Sequence, residues 1–259
     1  VVKRIRVLTH NRHSFGIISA SKSLTYPPFP FVPLLDNGGD PPDLSRWANM
    51  RTRGLSTGLD FSRLLGLGLT IELATVLVAM QVYEHTVHQF SDGALLGLDP
   101  ASICDQRNLI QYTLLSLAPP KDSVHFLRSH PIYEPIRLAA LIYSVTVIFP
   151  IPPPAVPLGS LTRTLRSALR ESDMRSGWAS SWEAQCLLLW VLLIGGVAAR
   201  DLPEERMWYI AALGRLTAQR SIKRFEDLKL QVLTKVLWLE QACDVAGRSL
   251  WAEILELGG

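Results

Sequence analysis

CLLLWVLLIGGVAA, Cys186 to Ala199, has no polar face. A helix made of it is apolar all the way round, and such a helix is stable only when other elements surround it. A second segment shares this character: Leu138 to Phe149 in RLAALIYSVTVIFP, stopped by Pro150. Both fall short of the roughly 20 residues a helix needs to span a bilayer. Two such segments in one chain therefore demand a body of further helices around them. A third apolar run, Leu64 to Val82, is long enough to span but holds Glu72 and Gln81, an expensive arrangement in lipid. The expectation is a helical protein with two fully buried central helices and no membrane partner.

The rest of the pattern supplies the surrounding helices. LDPASICDQRNLIQYTLLSLAPP starts a helix after Asp99-Pro100, with proline in the first turn, and ends at Pro119-Pro120. LGSLTRTLRSALRES puts Leu158, Leu161, Leu165 and Leu169 on one face, with Arg163, Arg166 and Arg170 off it. PEERMWYIAALGRLTAQRS opens with Pro203, then Glu204 and Glu205 at the positive end of a helix. FSRLLGLGLTIELATVLVAMQVYEHTVHQF is a long helical pattern weakened at Gly66 and Gly68, and Gly195-Gly196 reads as a weak point in its own helix. RFEDLKLQVLTKVLWLEQ reads as running into the closing helix without a break. There, Val236, Leu239, Cys243, Ala246, Leu250 and Ile254 recur at steps of three or four, and Asp244 and Arg248 form a solvated pair on another face. No strand pair, βαβ alternation or fixed repeat is visible. The expected fold is all-α, a single multi-helix domain of roughly seven or eight helices around the two apolar ones.

Residues 1–57 differ. YPPFPFVPLLDNGGDPPD breaks any regular element, and the region reads as a basic, Pro/Gly-rich, largely disordered leader ahead of a helical domain at 58–259. The net charge of +3 is too small to imply a nucleic-acid partner, but nine Lys and Arg against four Asp between Val1 and Arg63 make the basic excess an N-terminal property. Lys3, Arg4, Arg6 and Arg12 can touch phosphate or serve as a nuclear import signal, although a solvated basic tail is the commoner reading. The first residue is Val, so the chain is read as a fragment, a processed product or an incomplete gene model. No apolar stretch of signal-peptide type follows the basic start.

Chemistry-bearing motifs are weak throughout. Cys104, Cys186 and Cys243 are odd in number and far apart, with no C-x-x-C, so neither a disulfide framework nor a zinc module is encoded. Cys243 lies on the apolar stripe with no histidine near it in sequence, and a thiol needs a base or cation beside it to react. GLSTG, Gly54 to Gly58, matches G-x-S-x-G, but RWANMRTR before it cannot be the buried strand that motif requires. His85 and His88 in EHTVH have metal-sharing spacing and only Asp92 as a further candidate ligand. GLGLT, Gly66 to Thr70, has two of three dinucleotide-loop glycines and lacks the strand before them. No catalytic, cofactor-binding or metal-ligating residue is therefore expected. Trp178 and Trp182 flank a helix start and Trp47 lies in the leader, which makes these three the candidate interface aromatics. Trp190, Trp208, Trp238 and Trp251 are expected in the core.

Four stretches together carry a family resemblance. LWLEQACDVAGRSLW (Leu237 to Trp251) resembles the end of the fungal-specific transcription factor domain that follows binuclear zinc-cluster DNA-binding domains. RLAALIYSVTVIFPIP is similar to that family's buried helix with its Phe-Pro stop, CLLLWVLLIGGVAA to its Leu-Trp-rich helix, and PEERMWYIAALGRL to the segment between. They occur in the family's order, and the resemblance extends from about Gly58 to Ile254. It implies a nuclear, non-catalytic regulatory domain acting on RNA polymerase II transcription, with other transcription regulators or a second copy as partners. The zinc-binding cysteines of the family have no counterparts here. Zinc and DNA contact would then belong to a module upstream of this chain. The alternative readings are a stand-alone helical co-regulator or scaffold, and a helical membrane protein.

Overall fold

A computed structural model of the chain describes residues 58–91, 100–119, 124–151, 157–174 and 177–258, with isolated positions at 17, 19, 20, 23, 27, 31 and 44. Every regular element among these residues is helical, as the periodicity predicts. The expected leader at 1–57, with GLSTG up to Ser56-Thr57 and Trp47, lies outside the described residues apart from those isolated positions. The chain divides into two compact units, one within Val1–Ser56, Glu72–Ala118 and Ser144–Val156, the other within Thr57–Ile71, Pro119–Tyr143 and Pro157–Gly259.

Among the described residues, the first unit holds the helices α1 (Ile71–Ser91) and α2 (Pro100–Ser116). Leu73, Val76, Leu77 and Met80 recur at steps of three and four on α1 and are fully buried, as are Ile110 and Leu114 of α2. Gln111 of α2 accepts a 2.5 Å hydrogen bond from Ser144 Oγ, inside a π-helical turn at Ser144–Ile148. That turn corrects the expectation of an uninterrupted helix to Phe149. Phe149 N–H reaches back five residues to Ser144 O (2.6 Å), ahead of Pro150, which has no N–H to give.

The second unit begins with a 3-10 helix, Phe61–Leu67, capped by Asp60. Its other end is closed by Gly68 at φ 97°, whose N–H meets Leu64 O and Leu65 O. A Cβ at Gly68 would lie 2.7 Å from His130 Cα, so glycine is required twice over, by conformation and by space. The long run from Leu64 to Val82 is thereby split into two elements, and no helix among the described residues is long and apolar enough to cross a membrane.

Next come α3 (Val124–Ser129), α4 (Tyr133–Tyr143) and α5 (Leu158–Glu171), then α6 (Trp182–Ala198) and α7 (Pro203–Gln219). The unit closes with α8 (Phe225–Leu228), a π turn at Lys229–Leu233, α9 (Thr234–Val236) and α10 (Glu240–Gly258). Helices α4 and α6, the two apolar segments, are buried along nearly their whole length and pack on each other, with α5, α7 and α10 around them. Burying each Leu of α6 contributes about 2 kcal/mol. Ser181 caps α6 by accepting from Ala184 N–H at 3.1 Å, and Pro203 opens α7.

The pair Gly195-Gly196 is no weak point. Helix α6 runs through it, and a Cβ at Gly195 would meet Tyr209 Cε1 at 2.4 Å, one at Gly196 Leu250 Cδ2 at 2.7 Å. The glycines let α7 and α10 approach more closely than any side chain would allow. Arg206 fastens the same seam, with Nη1 donating to Gly196 O (2.8 Å) and Nε and Nη2 forked onto Glu253 (2.8 and 2.6 Å).

The expected unbroken run into the closing helix is also corrected. Leu237 is extended, and α10 starts only at Glu240. Buried partners explain the break: Trp190 Nε1 donates to Leu237 O (2.8 Å), and Leu239 N–H donates to Tyr143 Oη (2.9 Å). The two apolar helices thus hold the strap before α10 through the polar tips of their aromatics.

Candidate functional site

Helices α6 and α7 are joined by residues 199–202, a short connection that sets neighbouring helices antiparallel. At the end away from that connection, where α6 begins and α7 finishes, a pocket of about 580 Å³ opens. Gln185, Leu188 and Leu189 come from α6, and Ala212, Arg215, Leu216 and Gln219 from α7, each set one face of a helix at three- and four-residue spacing. Met174, Trp178 and Ala179 close the side, and Arg220, just past α7, completes the rim. Trp178, Leu188, Leu189 and Ala212 are all core residues, so the floor is apolar. The loop holding Trp178 is fixed on both sides. Its Nε1 donates to Ser172 Oγ (3.0 Å), and Gln185 Nε2 donates to Ala179 O (2.9 Å).

The rim is cationic. Arg206 and Arg166 in the same unit have acidic partners, Arg166 Nη1 lying 2.8 Å from Glu205. Neither Arg215 nor Arg220 forms an ion pair with a described residue. The Arg215 Nε donates to Ala211 O (3.2 Å), while the Arg220 guanidinium sits 5.5 Å from the Trp182 ring.

The interface aromatics separate. Trp178 is 0% exposed and belongs to the core, which corrects its placement among surface contacts: Ser172 satisfies its indole N–H, so the whole ring can be buried. Trp182 is 44% exposed at the first turn of α6, with Arg220 on its ring and Lys235 Nζ 5.8 Å from its centroid. Trp190, Trp238 and Trp251 are core residues as expected. Trp208 is only half-buried, under the guanidinium groups of Arg166 and Arg170 at 5.6 and 5.9 Å.

The weaker motifs take ordinary places. GLGLT is a helix end, not a phosphate loop. His85 and His88 lie near the end of α1, and no group of three or more His, Cys, Asp or Glu that could hold a metal occurs among the described residues. Cys186 is buried in α6, and burial pushes its thiol up to about 11, against the nearby positive charges of Arg220 and Lys235, so it stays protonated and unreactive. Cys243 is buried on the predicted stripe. Asp244 is more engaged than a solvated pair with Arg248 (3.4 Å): it also accepts from Lys229 Nζ and Trp238 Nε1, both at 2.8 Å. Burial opposes its ionisation, but hydrogen bonds from Lys229 and Trp238 outweigh that and hold the carboxyl below the usual range.

Sequence reasoning missed Arg215, Arg220, Gln185 and Gln219. Their helical spacing was visible, but nothing in the chain's order says that the Gln185 face of α6 looks onto the Arg215 face of α7.

Among the described residues every regular element is a helix, and the pocket is lined by apolar, amide and guanidinium side chains. The model of the fungal specific transcription factor domain matches residues 93–256, well over half of the chain. The chain belongs to this family, and with it to proteins of transcription-regulatory role. The match starts later than Gly58, where the resemblance was expected to begin, and takes in α2 to α10. No curated protein and no solved structure matches the chain.

Proposed function

We propose that this chain is the regulatory, non-catalytic body of a zinc-cluster-type fungal transcription factor, acting on RNA polymerase II transcription in the nucleus. DNA is reached through a module outside this chain, and the partners are other transcription regulators or a second copy. The observation that carries the reading is the family match over 93–256.

Zinc does not fit the residues present. A binuclear cluster needs closely spaced thiolates, whereas Cys186 and Cys243 are single buried positions on different helices and Cys104 lies on α2. No step of the proposed function runs through metal held by this chain. A helical body of this kind regulates by having two packings a few kcal/mol apart, one of which a ligand or partner prefers. Trp182, half-exposed beside two cations, and Trp47 are the interface residues of this reading.

Sequencing the transcript through and upstream of the Val1 codon tests the arrangement. An in-frame segment with six closely spaced cysteines is the expected result. A start codon with no such segment would replace this reading with a stand-alone co-regulator.

A further inference from the structure

We propose that the pocket between α6 and α7 binds a small amphipathic carboxylate, an apolar ring or chain carrying one acid group. The volume of about 580 Å³ lies within the ordinary range for small-molecule sites. Its floor is Leu188, Leu189 and Ala212, set on the buried ring of Trp178, and is hydrocarbon without charge. Its rim is Arg215 and Arg220, with the side-chain amides of Gln185 and Gln219 between the two kinds of surface.

The charge distribution selects the ligand. Arg63, Arg137, Arg166, Arg206, Arg224 and Arg248 of this unit each have a carboxylate partner within 4 Å. Arg128, Arg163, Arg170, Arg200, Arg215 and Arg220 have no ion pair with any described residue, and of these Arg215 and Arg220 alone line the pocket. Two uncompensated guanidinium groups at a single rim raise the local potential for an anion, and the planar guanidinium fork matches a carboxylate. The negative C-terminal end of α7 and the positive N-terminal end of α6 meet at this rim, so the helix ends offset each other and the arginines set the sign. An apolar floor under a cationic rim asks for one molecule with both characters. An inorganic anion would leave the floor empty, and a neutral hydrocarbon would leave the arginines uncompensated.

This goes beyond the transcriptional reading and does not depend on where DNA contact resides, because binding is read on the chain itself. The test is calorimetric titration of the 259-residue chain with 2-naphthoate and decanoate, and with their neutral amides. At least one acid should bind one-to-one, with its amide about tenfold weaker or more, the loss expected for removing a charge-assisted contact. Arg215→Gln and Arg220→Gln should each weaken the acid about tenfold and leave the amide unchanged. Ala179→Trp, at an exposed rim position, should block both while circular dichroism and the thermal midpoint stay as in the parent. Should Arg220→Gln unfold through loss of its Trp182 contact, Arg215→Gln, an exposed position, decides alone. Failure of both acids to bind at millimolar concentration overturns the proposal. So does equal affinity for acid and amide, or an Arg215→Gln chain that binds the acid like the parent.

Discussion

Where α6 passes Gly195 and Gly196, Tyr209 of α7 and Leu250 of α10 lie so close that no side chain fits between. Where the same helix begins, between Gln185 and Leu189, α7 offers Ala212, Arg215 and Leu216, and a pocket opens instead. One helix pair therefore has a welded end and an open end, and residue size explains both. Glycine removes the side chain that would hold two backbones apart, and the freed contact is filled by the neighbour's ring. Tyr209 completes the weld by donating its hydroxyl proton to Thr162 O (2.9 Å), with burial pushing the phenol further from ionisation. The welded end fixes the two helices, so the walls of the open end are held without having to touch.

The sharpest way to break this comparison is to enlarge each end in turn. Gly195→Val should cost about 3 kcal/mol, since Tyr209 sits where the new side chain must go. Leu216→Ala, which only widens an existing pocket, should cost about 1 kcal/mol. Urea unfolding of both variants checks the contrast, and equal losses would remove it.

A middle-sized effect is expected at the strap between α9 and α10. Tyr143→Phe deletes the acceptor for Leu239 N–H and should cost about 1 to 2 kcal/mol in the same assay. A neutral result would mean that water replaces the phenol and that Trp190 alone holds the strap.

Acid sharpens the account at the outer side of α10. Asp244 is held below the usual carboxylate range as described above, and Glu253 is held below it chiefly by its hydrogen bonds from Arg206. A carboxyl depressed in the folded state binds fewer protons there than in the unfolded chain. Its stabilisation is therefore complete above the ordinary carboxylate pKa of about 4 and fades as pH falls through the lower folded value. Thermal midpoints measured from pH 6 downward should drop over that window, and Asp244→Asn should flatten part of the drop.

The smallest effect belongs to a glycine with no neighbour. A Cβ at Gly66 would meet nothing within 4 Å, so Gly66→Ala should raise stability by about 0.5 kcal/mol through the unfolded chain. A loss there would show that glycine is needed in the 3-10 turn for conformation, as at Gly68.

These positions also show what the amino-acid sequence reveals. The two central helices were legible because CLLLWVLLIGGVAA and LAALIY have no polar side to misplace. Helix starts at Pro100 and Pro203 were legible because proline constrains its own backbone. The glycine pair was misread because its cost in helix propensity is local, whereas its benefit lies in Tyr209 and Leu250, distant in sequence. The break at Leu237 was hidden for a similar reason: its residues suit a helix, and the decision rests with Trp190 and Tyr143. Trp178 looked like a surface aromatic because Ser172, the partner that lets it be buried, carries no signal of that role. The pocket was illegible as a site, since its two walls become one surface only when α6 and α7 pair.

The central claim, that this helical body regulates transcription, is tested most directly by tethering it. The chain fused to an unrelated DNA-binding domain, and expressed in a fungal cell with that domain's reporter, should shift reporter output well away from the level given by the DNA-binding domain alone. Output equal to that of the domain alone, with the fusion shown to be folded and present in the nucleus, would contradict the claim.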